Sequence, residues 1–109
     1  MLTLISAALA ALWAAALGPA QDVAFTARWD GSEQRYVLML PEGFDKAKPH
    51  HLLIALHGHS SDRWQYATDP RPECAGARDV AAKCEMIYVS PVYRAMTSWM
   101  GPKAEGMTA

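Results

Sequence analysis

Five consecutive apolar residues, at positions 52–56, constrain the fold of this chain more than any other stretch of its sequence. A strand with one wet face alternates apolar and polar residues, and this run, Leu-Leu-Ile-Ala-Leu, does not alternate. It therefore predicts a central strand of a parallel sheet, buried on both faces by helices. The run stops at His57 and Gly58, and in open α/β sheets ligands bind just past the carboxyl ends of the strands. This edge is therefore a candidate functional site.

A helix and a second strand follow the run at the spacing of a βαβ unit. The helix is predicted over residues 73–83, with Pro72 in its first turn, where proline is tolerated. Residues at helical spacing should pack on the sheet: Ala77, Val80, Ala81 and Cys84. The second strand is predicted over residues 86–90 and is stopped by Pro91. The unit predicts two parallel strands joined by a right-handed crossover.

A hairpin is predicted ahead of the apolar run. Residues 23–29 alternate between apolar and polar, an Asp-Gly pair at 30–31 is a turn signal, and residues 36–40 alternate again. These features predict an antiparallel hairpin at the edge of the sheet. After the run, Asp62 and Gln65 have the spacing of a capping box, which predicts a short helix that starts at residue 63.

The first twenty residues, MLTLISAALAALWAAALGPA, have the pattern of a secretory leader. The apolar run from Leu2 to Leu17 is followed by Gly18-Pro19-Ala20, which puts small residues at the two positions that signal peptidase reads. The run is shorter than the roughly 20 residues of a membrane-spanning helix. We therefore expect a signal peptide over residues 1–20, a secreted or periplasmic protein, and no stable membrane anchor after cleavage. An uncleaved apolar helix is the alternative.

Size, charge and cysteine spacing limit the remaining possibilities. Residues 21–109 are enough for one small domain, and a net charge of −1 gives no reason to expect nucleic-acid binding. Cys74 and Cys84 flank the predicted helix, whose rise of ~1.5 Å per residue separates them by about 15 Å. A disulfide needs Cα atoms within roughly 7 Å. We therefore expect two buried free thiols.

Three stretches resemble one superfamily. LLIALHGHS is similar to the strand and loop that supply an oxyanion hole in α/β-hydrolase esterases, where the motif is often His-Gly-Gly or His-Gly-x-Gly. LPEGFD and YVSPVYRAMTSWMGPKAE resemble its secreted esterase branch, the polyhydroxybutyrate-depolymerase-like, feruloyl-esterase-like and esterase-D-like enzymes. The resemblance covers residues 23–105 and only the N-terminal part of such an enzyme. It implies an α/β fold class: an incomplete α/β-hydrolase fold, with an edge β-hairpin followed by a βαβ unit.

The resemblance also implies which residues belong to the site. His57, Gly58 and His59 would form the oxyanion loop, with the backbone N–H of Gly58 or His59 as a donor. Ser60 departs from the longer family motif, which has glycine at that position. The loop after the second parallel strand would line the substrate pocket through Arg94, Ser98 and Trp99.

None of the catalytic triad is recognisable in the sequence. There is no Gly-x-Ser-x-Gly motif, and in the resembling family the nucleophile, acid and histidine all follow the oxyanion loop. We therefore expect a secreted serine hydrolase of carboxylic esters with only the oxyanion-loop half of its site in this chain. A prolyl-oligopeptidase-like serine peptidase, or a non-catalytic truncated fragment or binding module, is the alternative. The expected partner is a small-molecule or polymeric ester, and neither a cofactor nor a metal is expected.

Overall fold

A computed structural model of the chain describes residues 16–93. Four strands form one sheet: β1 (Gln21–Thr26), β2 (Glu33–Met39), β3 (Leu52–Ile54) and β4 (Ile87–Pro91). Two helices lie between β3 and β4 in the chain: α1 (Gln65–Thr68) and α2 (Pro72–Lys83). The strand order is β1-β2-β4-β3, with β3 and β4 parallel and the other two pairs antiparallel. The predicted hairpin and βαβ unit are therefore confirmed.

The hairpin closes through the predicted Asp-Gly turn. Gly31 has a φ of +73°, a left-handed conformation that glycine adopts without steric penalty. The N–H of Ala27 donates to the carbonyl oxygen of Ser32 at 2.8 Å. Because the turn begins at this point, β1 ends at Thr26, and Trp29, predicted to lie in the strand, is exposed in the turn.

The two faces of the sheet have different surroundings. Strand register places four side chains on what we call the covered face: Val37, Leu53, Tyr88 and Ser90. Here Tyr88 and Ala81 of α2 are fully buried and form the core with Ala55. The Tyr88 hydroxyl donates to the carbonyl oxygen of Tyr66 in α1 at 2.9 Å. The opposite, open face carries other apolar side chains: Phe25, Tyr36, Ile54, Leu56 and Val89.

The position of β3 corrects the prediction of a central strand buried on both faces. In the described part of the sheet β3 lies at the edge, beside β4 alone. Leu53 packs against the core, whereas Leu52 and Ile54 are 53% and 54% exposed. The helical layer covers only one face within residues 16–93. The unbroken apolar run is therefore suited to a strand with helices on both faces. Within the described residues, helices lie on one face only.

Helix α2 occupies the predicted span but presents a different stripe to the sheet. Cys74 and Ala81 are buried and Ala77 packs against the core, whereas Val80 and Cys84 are exposed. The buried positions follow an i, i+3, i+7 pattern that begins one turn earlier than predicted. Both cysteines are free thiols, and the exposure of Cys84 corrects the prediction that both are buried.

The segment ahead of α1 is capped differently from the prediction. Asp62 Oδ1 accepts the N–H of Trp64 at 2.8 Å, and the helix itself starts at Gln65, two residues after the predicted start. The Arg78 guanidinium of α2 donates to the carbonyl oxygens of Tyr66 in α1 and of Asp69 just after it, both at 2.9 Å. These bonds join the two helices. Strand β4 is shifted by one residue from the predicted 86–90, and it includes Pro91, which was expected to stop it.

An ion pair joins β1 to the loop before α1. Arg63 donates through Nε and Nη2 to the two carboxylate oxygens of Asp22 at 2.8 and 2.9 Å. Arg35 adds a third contact to the same carboxylate at 3.1 Å. The hydrogen bonds from Arg63 are the main cause that lowers the pKa of Asp22 below its ordinary value. No helix within residues 16–93 has the length and apolar character needed to cross a membrane.

Candidate active site

The loop that follows β3 is held against the end of β4. Pairing continues past β3, since the N–H of Ala55 donates to the carbonyl oxygen of Val89 at 2.8 Å. The His57 side chain that follows is buried, with Nδ1 2.9 Å from the Gly58 oxygen and Nε2 3.2 Å from the Val92 oxygen. A neutral imidazole donates from only one of its two nitrogens. Whichever nitrogen donates, the hydrogen bond holds the loop in place. The contact with Val92 joins the loop to a segment 35 residues later in the chain.

Tyr93 completes the enclosure of His57. The two rings stack with their centroids 4.4 Å apart and their planes 17° from parallel. The Tyr93 hydroxyl donates to the main-chain carbonyl oxygen of His57, and burial raises the pKa of that hydroxyl. His57 is therefore fixed through both its ring and its backbone. The predicted parallel pairing of β3 and β4 brings Tyr93 to this edge. Its stacking and hydrogen bond with His57 were not predicted, because they depend on how the two loops fold against each other.

A β-turn follows, in which Ser61 donates its N–H to the Gly58 oxygen at 3.2 Å. Ser60, the third residue of this turn, has a φ of +57°. A positive φ at that position is the pattern of a type II turn, which favours glycine. This is also where the family motif has its second glycine. Gly58 has no such requirement, because a Cβ there would meet only the Gln65 side chain, at 3.8 Å.

The N–H of Gly58 is already bonded in this structure. It donates to Oε1 of Gln65, the first residue of α1, at 2.8 Å. An oxyanion donor must point at the reacting oxygen, so the Gln65 side chain has to move before the Gly58 N–H can take that role. Gln65 was predicted to cap its own helix. Its actual contact joins residues seven positions apart and follows from how the loop folds back over α1.

An apolar groove of about 470 Å³ lies on the open face next to this loop. Its lining residues are Phe25, Tyr36, Ile54, Leu56, Val89, Pro91 and Tyr93. The volume lies within the roughly 300–1,000 Å³ typical of small-molecule pockets. Because Tyr93 lines the groove and also stacks on His57, the groove reaches the candidate oxyanion loop.

Several predicted site features fall outside this geometry. Arg94, Ser98 and Trp99 lie outside the described residues. His57 and His59 are the histidines that follow the carboxyl end of β3. Within residues 16–93 no group of three or more His, Cys, Asp or Glu side chains is placed to hold a metal ion.

No protein-family model matches the chain. Feruloyl esterase C from Emericella nidulans is 29% identical over 58 residues, which cover 53% of this chain and 22% of that protein.

Two solved structures of the CE1 ferulic acid esterase AmCE1/Fae1A from Anaeromyces mucronatus are similar in fold. Without substrate the TM-score is 0.60 at 19% identity, covering 83% of this chain and 37% of that one. With ferulic acid bound the TM-score is 0.59 at 20% identity, covering 83% and 36%. The chain thus spans little more than a third of the length of these structures and 22% of the curated relative. The resemblance noted in the sequence is confirmed at the level of fold: this chain is an incomplete part of an α/β-hydrolase fold.

Proposed function

We propose that this chain supplies the oxyanion-loop side of the active site of a secreted serine hydrolase of carboxylic esters. The observation that carries the proposal is the loop at the ends of β3 and β4, where His57 is enclosed by Tyr93 and by two carbonyl oxygens. Catalysis by an oxyanion hole depends on donors that are fixed before the reaction, each typically worth ~2.7–4 kcal/mol. A loop fixed at the carboxyl ends of parallel strands supplies such a backbone, and the Gly58 N–H becomes a free donor once the Gln65 side chain leaves it.

The proposed roles follow from the chemistry of acyl transfer. When a serine attacks the ester carbonyl, negative charge develops on the carbonyl oxygen, and the N–H of Gly58 or His59 stabilises it. His57 positions the loop and transfers no proton. Residues 1–109 contain no Gly-x-Ser-x-Gly motif, so the nucleophile and its base are contributed by other residues of the enzyme.

The substrate class is proposed from the relatives and from the second loop. The relatives named above are esterases, which supports an ester and not a peptide substrate. Arg94 would contact a carboxylate, Trp99 would stack on a sugar or an aromatic acid, and Ser98 would complete the pocket. Together these features support esters of aromatic carboxylic acids as the first substrates to test. The apolar leader supports export to the periplasm or the medium.

The test compares residues 1–109 with the full reading frame that encodes them. Each protein is assayed with p-nitrophenyl acetate and methyl ferulate and treated with a serine-directed fluorophosphonate. We expect turnover and labelling of the full product and neither for residues 1–109 alone. Turnover by residues 1–109 that survives Ser60→Ala and Ser61→Ala would contradict the assignment of the missing groups. An inert full product would instead favour a non-catalytic binding module.

A further inference from the structure

The chain ahead of β1 is paired with the rest of the sheet. Leu17 forms a β-bridge with Pro41, and the N–H of Gly18 donates to the carbonyl oxygen of Leu40 at 2.7 Å. These contacts extend the hairpin pairing toward the N-terminus, beyond the first residue of β1. They lie within the last four residues of the predicted leader, upstream of the cleavage site expected from the sequence.

Residues 17 and 18 are also suited to this place by their side chains. Leu17 packs against the core cluster that contains Ala81 and Tyr88. A Cβ at Gly18 would lie 3.2 Å from the Leu40 oxygen, so glycine allows the close approach of the two backbones. Cleavage after Ala20 would remove an apolar side chain from the core together with the hydrogen bond at Gly18.

A second small-residue pattern lies just upstream. Ala14-Ala15-Ala16 has alanine at both positions that signal peptidase reads for cleavage after Ala16. The apolar run ahead of it, Leu2 to Trp13, is 12 residues long, within the 7–15 residues usual for a signal peptide. The run implied by cleavage after Ala20 is Leu2 to Leu17, which has 16 residues.

We propose that signal peptidase cuts after Ala16, so that the mature protein begins at Leu17. Water hydrolyses the Ala16–Leu17 peptide bond, leaving a carboxyl group on Ala16 and a free amino group on Leu17. This cut keeps the Leu17 packing and the Gly18 hydrogen bond. Of the hydrogen bonds within residues 16–93, it removes the one that the Glu42 N–H donates to the Ala16 oxygen at 2.9 Å. The proposal concerns export alone and does not depend on ester hydrolysis.

The test is N-terminal sequencing and intact mass of residues 1–109 exported by a bacterial host. We expect mature protein that begins at Leu17. Ala16→Tyr should abolish that product, whereas the matched variant Ala20→Tyr should leave it unchanged. A product beginning at Gln21, an intact Met1 in the exported fraction, or no export at all would overturn the proposal, as would a Leu17 product from Ala16→Tyr.

A second measurement tests the structural reason for the cut. Two chains are produced without a leader, one beginning at Leu17 and one at Gln21, each with an initiator methionine. We expect the Gln21 chain to unfold at a lower urea concentration, because it lacks Leu17 and the Gly18 hydrogen bond. Equal midpoints would show that residues 17–20 contribute nothing to the fold and would remove the argument for the upstream cut.

Discussion

The covered and open faces of this sheet are both apolar in sequence, yet only one of them is completed by the described part of the chain. On the covered face Tyr88 and Val37 have no exposed surface, and Tyr88 packs with Ala81 of α2. On the open face Ile54 and Leu56 are 54% and 41% exposed. An apolar pattern along a strand therefore reflects how that strand is covered in the complete fold, and not in this chain alone. This chain covers 37% of the length of the ferulic acid esterase structure to which it is similar.

Truncation on the two faces should have very different effects. Tyr88→Ala removes a fully buried aromatic ring, which typically lowers the free energy of unfolding by about 3–5 kcal/mol. Ile54→Ala removes a side chain that is already half exposed, and we expect a loss below about 1 kcal/mol. Urea unfolding followed by far-UV circular dichroism measures both. Equal losses would show that the faces are packed alike in solution.

Alkaline pH should weaken the covered face. Burial raises the pKa of Tyr88 from 10.0 to about 12 in the folded chain. Because the folded pKa is the higher one, stability is complete below about pH 10 and is lost as pH rises toward 12, by up to ~1.4 kcal/mol per pH unit. Absorbance at 295 nm between pH 9 and 12 follows the ionisation of tyrosine, and urea midpoints over the same range measure the loss of stability. Tyr88→Phe should lose most of this dependence, with a remainder from Tyr93 and Cys74, because burial raises the pKa of both groups.

Two buried hydroxyls on the covered face should respond in opposite directions. The Tyr88 hydroxyl is bonded to the Tyr66 oxygen, so Tyr88→Phe at neutral pH should lower the free energy of unfolding by about 1 kcal/mol. Ser90 Oγ is buried and has no hydrogen-bond partner within the described residues. Ser90→Ala should therefore raise the free energy of unfolding by about 1 kcal/mol. A loss from Ser90→Ala in urea unfolding would show that this hydroxyl is bonded.

The local elements were predictable because local patterns determine them. The Asp-Gly turn, the helix behind Pro72 and the two apolar strands each follow from a few neighbouring residues. The edge position of β3 was not predictable, because the sequence of a strand does not say which strands lie beside it or which elements cover its faces. The same holds for the buried stripe of α2, which includes Cys74 and leaves Val80 exposed.

The candidate site likewise has parts that were predictable from the sequence and parts that were not. The loop at the end of β3 was found from the strand and its His-Gly motif, and the missing glycine at Ser60 marked the residue that has a positive φ. The contacts of His57 with Tyr93 and of Gly58 with Gln65 join residues that the fold brings together. No short-range pattern reveals them, since each depends on how one loop lies on a neighbouring element.

Polar substitution on the open face should have the smallest effect on stability. Ile54→Thr combined with Leu56→Gln changes two side chains that already contact water, so the free energy of unfolding should fall by less than about 1 kcal/mol. A contiguous exposed apolar surface binds the dye ANS and promotes self-association. We therefore expect the unsubstituted chain to bind ANS and the double variant to bind less. Dye fluorescence and light scattering at equal protein concentration measure this.

The matched control is Leu53→Thr, which alters the same strand on its covered face. Leu53 packs against the core, so this change should loosen the contact with α2 and increase ANS binding. The open-face double variant and Leu53→Thr should therefore change dye fluorescence in opposite directions if the two faces differ as described. If the open-face variant also unfolds, or if the unsubstituted chain binds no dye as a monomer, then the open face is covered in solution. The contrast between the two faces would then have to be abandoned.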